Sequence, residues 1–284
     1  MRIDAHQHYW QLDRKDYGWI TPEVPTLYRD YMPDDLAESL KCHGITKTIV
    51  VQAAATVEET EFLLSLCKTN DSIAGVVGWL DFEQDNFVET FEQLRKDPYF
   101  IGVRLMLQSI DAMEYLKRPL VIQHLRWLGE LGFPVDLLIN AAQFPAVLSL
   151  LELVPNLNAV IDHIGKPQIS EQVVSPWQEW VTEVAQYPQV YCKLSGMVTE
   201  GNISDWVESD FSFYVKHVTK AFGLKRVMFG SDWPVCLLAA SYDQTVGILL
   251  NNLPNELTNQ QLDDIFGNNA IRFYQLETTF EHSL

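Results

Sequence analysis

Eight short β-rich runs recur along the chain, near 2–6, 47–52, 74–80, 101–107, 133–139, 159–163, 190–195 and 226–231, each followed by a stretch with helical patterning. Their spacing of about thirty residues is that of a βα unit. Runs such as Ile49-Val50-Val51 and Val76-Val77-Gly78 are apolar on both faces, as parallel strands covered by helices are. Between them, Pro33-Asp34-Asp35 opens a helix with Leu36, Ala37 and Leu40 on its apolar face and Gly44 as its stop. A second helix is expected over 58–68, and Ile203, Val207, Phe211, Tyr214, Val215, Val218 and Phe222 predict one over 203–222. Pro145 starts an apolar helix, and Thr258 with Gln261 forms a capping-box pattern. No linker-like stretch divides the 284 residues. The expected architecture is α/β, a single (β/α)8 TIM barrel over 1–284. An open doubly wound sheet is the alternative, but neither GxGxxG nor GxxxxGK[ST] occurs, so no nucleotide cofactor is expected.

The connection after the first strand is outsized. Residues 9–32 carry Tyr9, Trp10, Tyr17, Trp19, Tyr28 and Tyr31, too aromatic for disorder. They are expected to form a lid over the barrel mouth, or else a packed flap that plugs it.

Charge narrows the partners. With 20 Lys and Arg against 38 Asp and Glu, the formal charge of −18 repels nucleic acid and anionic membranes alike. Hydrophobic residues make up 47% and charged ones 20%, a globular balance. No apolar stretch is long enough to span a bilayer, and Met1-Arg2-Ile3-Asp4-Ala5-His6, charged where an apolar leader core would lie, is not expected to be a secretory leader. Four scattered cysteines, Cys42, Cys67, Cys192 and Cys236, read as reduced thiols, so a cytoplasmic setting is expected. Barrels of this size often pair, which leaves a homodimer as an open expectation.

In such a barrel the reactive groups lie at the C-terminal ends of the strands. The first strand delivers His6 and His8, whose two-residue spacing puts both imidazoles on one face, where they can share a divalent metal. The fourth delivers Arg104, either a fork for substrate oxygens or the partner of an acid. The sixth ends Asp162-His163-Ile164-Gly165-Lys166-Pro167, a polar turn that singles out His163 and offers Lys166 as a substrate contact or a surface charge. Lys193 on the seventh enters the barrel and needs an anionic partner or a substrate oxygen. The eighth ends Gly230-Ser231-Asp232-Trp233-Pro234, where an apolar setting can raise Asp232 into a catalytic base. Trp10 and Trp233 are candidates to stack on a substrate ring. His43, His124, His217 and His282 read as structural or solvated.

Taken together, His6-x-His8, Asp162-His163-x-Gly165-Lys166-Pro167, Lys193-Leu194-Ser195-Gly196, Gly230-Ser231-Asp232-Trp233-Pro234 and the closing Ile265-Phe266-Gly267-Asn268-Asn269-Ala270-Ile271-Arg272-Phe273-Tyr274 resemble the amidohydrolase superfamily of the amidohydrolase-2 type. The likeness is to the branch of sugar-lactone hydrolases and 2-pyrone-4,6-dicarboxylate lactonase. The resemblance implies a (β/α)8 barrel that hydrolyses a small lactone. It assigns Asp232 to activating water and sets His6, His8 and His163 around a carbonyl oxygen or a metal. Many relatives carry a bridging lysine or glutamate and a further histidine on the middle strands, whereas the fifth strand here offers Asp136 and Asn140. The resemblance therefore implies one zinc-like ion on His6, His8 and Asp232, or metal-independent chemistry. An aldono-lactone of the fuconolactone or rhamnonolactone kind is the expected substrate, because few basic residues reach the mouth. A dicarboxylate lactone (a pyrone or muconolactone) and a zinc-dependent, non-oxidative decarboxylation are the alternatives.

Overall fold

The computed structural model describes residues 1–276; His282 lies outside them. Eight strands form one parallel sheet in sequence order: β1 (Ile3–Gln7), β2 (Lys47–Val51), β3 (Ile73–Gly78), β4 (Phe100–Met106), β5 (Val135–Leu138), β6 (Ala159–Ile161), β7 (Val190–Leu194) and β8 (Val227–Phe229). The sheet closes on itself where Asp232 donates its N–H to the carbonyl of His6 at 2.8 Å and His8 donates to Trp233 at 2.7 Å. The expected TIM barrel is therefore the fold.

The helices that cover it are α1 (Pro33–Cys42), α2 (Val57–Cys67), α3 (Phe87–Leu94), α4 (Pro119–Leu131), α5 (Phe144–Leu153), α6 (Trp177–Val184), α7 (Ser212–Phe222) and α8 (Tyr242–Asn252), followed by α9 (Asn269–Tyr274). Pro33, Pro119 and Pro145 sit in first turns, where the missing N–H leaves no bond unmade. Helix α7 is shorter than its periodicity predicts. Residues 203–211 run through turns and a short 3-10 segment, and Ile203 and Val207 are exposed. Asp210 accepts the N–H of Val207, a local bond that competes with helix continuation there.

Two apolar layers hold the barrel. Outside the sheet, strand and helix side chains form the main core; inside it, Ile3, Ala5, Ile49, Val51, Val77, Ile101, Val160 and Met228 pack against Phe273 and Tyr274 of α9. The closing motif thus plugs the end of the barrel opposite the strand C-termini. No helix is long and apolar enough to cross a membrane, among the described residues. All four cysteines are free, three buried and Cys42 exposed.

The segment 9–32 folds onto the barrel as a packed layer. Tyr9, Trp10, Tyr17, Ile20, Leu27 and Tyr31 are buried, and Trp10 pairs with Tyr31 through backbone bonds in both directions. Trp19 and Tyr28 remain exposed.

Candidate active site

Strand β1 carries the first two site residues by way of an irregularity. Ile3 and Ala5 face the apolar interior, and strict alternation would send His6 outward. Between Asp4 and Gln7 the strand gains one residue against β2, a bulge that shifts the alternation. His6 and His8 then point together, their ring centroids 4.9 Å apart. On the outer side, Asp4 accepts bonds from the N–H of His6 at 3.2 Å, the N–H of Ser231 at 2.9 Å and the hydroxyl of Tyr242 at 3.0 Å, clamping β1 to the end of β8. Burial pushes the Asp4 carboxyl up to about 6.

Strands β6 and β8 supply the other members. His163, Ile164, Gly165 and Lys166 all have positive φ, from 48° to 73°, and Asp232 has φ 57°. Left-handed backbone costs a non-glycine residue about 1 kcal/mol or more, so strain is concentrated on the residues that present polar groups. Two glycines make room. A Cβ on Gly196 would lie 2.4 Å from His163 Nδ1, and one on Gly230 would lie 2.6 Å from the Cβ of His6.

Three imidazole Nε2 atoms converge on one carboxylate oxygen, Asp232 Oδ1: His8 at 3.2 Å, His6 at 3.7 Å and His163 at 3.9 Å. His8 Nδ1 lies 2.7 Å from the carbonyl of Val51, which can only accept, so Nδ1 carries a proton. The Nε2 of a neutral His8 then turns a lone pair toward a carboxylate, and a proton or a cation has to lie between them. His6 Nε2 is buried without a hydrogen-bond partner. His6, His8 and Asp232 offer ligand atoms within 4.8 Å of one another, three donors with room for a fourth. This donor set fits one divalent cation.

Beneath it lies a second group of charges. Lys193 on β7 is fully buried and forms an ion pair with Asp136 on β5. It also lies 3.2 Å from Asp162 Oδ1 and 3.1 Å from His6 Nδ1. Asp162 is 3.7 Å from Arg104, and Asp136 accepts the hydroxyl of Tyr274 at 2.8 Å. Burial pushes Asp136 up to about 6 against Lys193, with Asp162 adding to the rise. Burial also opposes ionisation of Asp162, but Lys193 foremost, then His6 and His163, hold it well below the carboxylate range.

Several expected contacts change place. Lys193 does not reach the mouth; Asp136, Asp162 and His6 occupy its ammonium from all sides, so it supports the site from below. Trp10 is fully buried against Tyr17, Trp19 and Tyr31, and Trp233 is buried against Tyr9 and Tyr31, which leaves neither ring free to stack on a ligand. Asp232 is not raised. Burial disfavours its charge, but His163, the hydrogen bond to His8, and His6 outweigh that and hold the carboxyl below its usual range. Burial pushes His163 down to about 4, and its Nδ1 lies 2.9 Å from the Ser195 hydroxyl. Asn140 caps the turn before α5 and lies outside this group. His124 is buried in α4 on the Phe82 carbonyl, His43 pairs with Asp243 and His217 bonds Thr182, as their structural reading expected.

Above Asp232 opens a cavity of about 310 Å³, at the small end of the range for ligand pockets. His8, His163 and Asp232 form its floor; Arg104, Lys166 and Trp19 are among the residues of its walls. Arg104 binds the carbonyl of Gln52, and Lys166 is 3.8 Å from Glu200. Trp19 was not singled out by its sequence context. It donates its indole N–H to the carbonyl of Ala53 at 2.8 Å and is still 47% exposed, an aromatic face kept at the mouth.

The family profile of the amidohydrolases matches residues 3–276. The chain is 34% identical over 280 residues to an L-fucono-1,5-lactonase of Burkholderia ambifaria, covering 97% of this chain and 96% of that one. It is also 34% identical over 289 residues to an L-fucono-1,5-lactonase of Burkholderia multivorans, covering 97% and 96%. A crystal structure of an amidohydrolase from Burkholderia multivorans with bound zinc superposes with a TM-score of 0.91, at 34% identity over 97% of this chain and 99% of that one. With the barrel, the convergent histidines and this full-length likeness together, the chain belongs to the amidohydrolase family.

Proposed function

We propose that this protein hydrolyses a small sugar lactone, a fuconolactone- or rhamnonolactone-like aldono-lactone, to its sugar acid. The observation that carries the reading is the convergence of three imidazoles on Asp232 at the floor of a small cavity, in a chain a third identical to L-fucono-1,5-lactonases over nearly its whole length.

The lactone lies with its carbonyl over Asp232. The carboxylate takes a proton from a water molecule as the water oxygen bonds to the carbonyl carbon, and the carbonyl electrons move to oxygen. His163, neutral at pH 7, donates from Nε2 to that oxyanion, while Ser195 fixes its other ring nitrogen. The carbon to ring-oxygen bond then breaks, and the departing alkoxide takes the proton back from Asp232. The new acid ionises in water. Arg104 and Lys166 orient hydroxyls. A divalent cation held by His6, His8 and Asp232 would polarise the carbonyl and ease deprotonation of water, which suits a carboxylate held below its usual range.

Arg104 and Lys166 already face Asp162 and Glu200, so the cavity walls have no uncommitted pair of cations for a dicarboxylate. The four free cysteines, three of them buried, support a substrate met in a reducing, cytoplasmic setting. The test is a hydrolysis screen of aldonolactones and dicarboxylate lactones, with metal content measured on the same sample. Turnover of aldonolactones with about one equivalent of zinc supports the proposal. Turnover confined to dicarboxylates, or CO₂ release from an aromatic acid, replaces it.

A further inference from the structure

Three contacts meet on one stretch of backbone, Gln52-Ala53, just past β2. Arg104 holds the carbonyl of Gln52, Glu59 accepts the N–H of Ala53 at 2.9 Å, and the carbonyl of Ala53 accepts the indole N–H of Trp19 at 2.8 Å. Trp19, Ala53 and Arg104 all line the cavity. Glu59 does not; it lies behind them, fully buried, at the start of α2. A buried carboxylate is costly unless its partners hold it, and its second oxygen has no hydrogen bond. Its place is therefore set by what it holds. Thr56, Glu59 and their spacing mimic a capping box, but the Thr56 hydroxyl takes the Glu59 N–H while the Glu59 carboxylate reaches Ala53 instead of closing the box. One peptide further on, at the Ala53 carbonyl, Trp19 stays 47% exposed, with an edge contact to Trp10 at 5.6 Å.

We infer that Glu59 is a positioning residue for substrate specificity: through the backbone of Ala53, whose N–H it holds and whose carbonyl holds the indole, it sets Trp19 as the aromatic platform on which the apolar C–H face of the sugar ring lies. This deepens the sugar-lactone proposal and rests on it. Trp19 contributes to binding the ring and not to bond breaking, and Glu59 acts only through Trp19.

The test uses the full chain with L-fucono-1,5-lactone as probe. Trp19→Ala and Glu59→Ala each raise KM about tenfold, the scale of one aromatic contact, with kcat little changed. The double variant is no worse than either single one, because the two residues form one unit. Glu59→Gln keeps an acceptor for Ala53 and restores most of the lost affinity. Additive effects in the double variant, or a fall in kcat at unchanged KM, overturn the inference. Should Glu59→Ala fail to fold, Trp19→Phe removes the indole N–H from an exposed site, and an unchanged KM in it is equally fatal. Hydrogen exchange at the Ala53 amide, faster in Glu59→Ala than in the native chain, reads the clamp without any substrate. An inactive native chain with a protected Ala53 amide therefore rejects the sugar-lactone reading and leaves the clamp standing, whereas an active chain with an unprotected one rejects the clamp.

Discussion

Two polar layers are stacked inside the same barrel. The upper one, His6, His8, His163 and Asp232, and the lower one, Lys193, Asp136 and Asp162, are buried alike, none more than 4% exposed. They differ in pairing. In the lower layer opposite charges face each other and Tyr274 closes the remaining side of Asp136, so its members answer to one another. In the upper layer three ring nitrogens face a single carboxylate oxygen, and one of them has no hydrogen bond. Neither burial nor a missing hydrogen bond marks a reactive group, since both oxygens of Asp162 in the lower layer also lack one; convergence of three ring nitrogens on one carboxylate oxygen beside an open cavity does. The lower layer also gives the upper one its rigidity, because Lys193 touches His6 directly.

The contrast breaks if the two layers respond alike to substitution. Asp232→Asn should lower kcat by about 10³-fold, within the range for a lost general base, while the melting temperature moves by a few degrees at most. Lactone hydrolysis followed by pH-stat, beside a thermal melt, measures both; near-native turnover removes Asp232 from the chemistry. Lys193→Met should do the reverse in kind. It strands two buried carboxylates and costs about 3–5 kcal/mol of stability, a melting temperature roughly 10 °C lower. If the variant is stable but inactive, Lys193 belongs to the upper layer after all.

Glu59 sharpens the comparison as an acid outside both layers. Burial raises its carboxyl to about 7 from 4.5, against opposing pulls from the Ala53 and Ala54 amides, Arg104 and Arg14. A carboxyl that binds its proton more tightly when folded makes the native state lose stability as pH rises from 4.5 through 7, by about 3 kcal/mol at most. Glu59→Gln should lack that loss, so urea midpoints of the two proteins should diverge between pH 5 and pH 8; parallel curves contradict the assignment. The smallest effect is expected from Tyr274→Phe, which deletes one hydrogen bond to Asp136. It should cost about 1 kcal/mol and leave kcat within a factor of two. A large loss of activity instead would tie the barrel floor to the reaction.

Much of this fold could be read from sequence because its strands are doubly buried. An apolar run such as Ile49-Val50-Val51 followed by a cap and an amphipathic helix identifies its βα unit locally, and the eight strands fall where the runs predict. His6, His8, His163 and Asp232 were legible for the same reason, as polar residues at the ends of apolar strands. What escaped depends on contacts made by distant parts of the chain. Alternation pairs His6 with His8, but the pair faces inward only because a bulge shifts β1, and no local pattern marks it. Lys193 reads as a substrate contact until Asp136 and Asp162 arrive from two other strands. Among the aromatics of 9–32, composition does not distinguish Trp10, sealed in the core, from Trp19, held open by a peptide beyond β2. The carboxyl of Asp232 falls instead of rising because its neighbours are imidazoles from β1 and from the turn after β6, separated from it by about 70 to 230 positions of sequence.

The aromatic plug and the seam between β1 and β8 tie this chemistry to closure of the whole barrel. His6 lies on the first strand, Asp232 follows the eighth, and Tyr274 enters from below to bond Asp136. Side chains more than 220 positions apart in sequence therefore meet only where the sheet closes between β1 and the segment after β8. The centre is thus a property of the closed ring: no single βα unit holds it, and separating the two ends of the barrel would dismantle it.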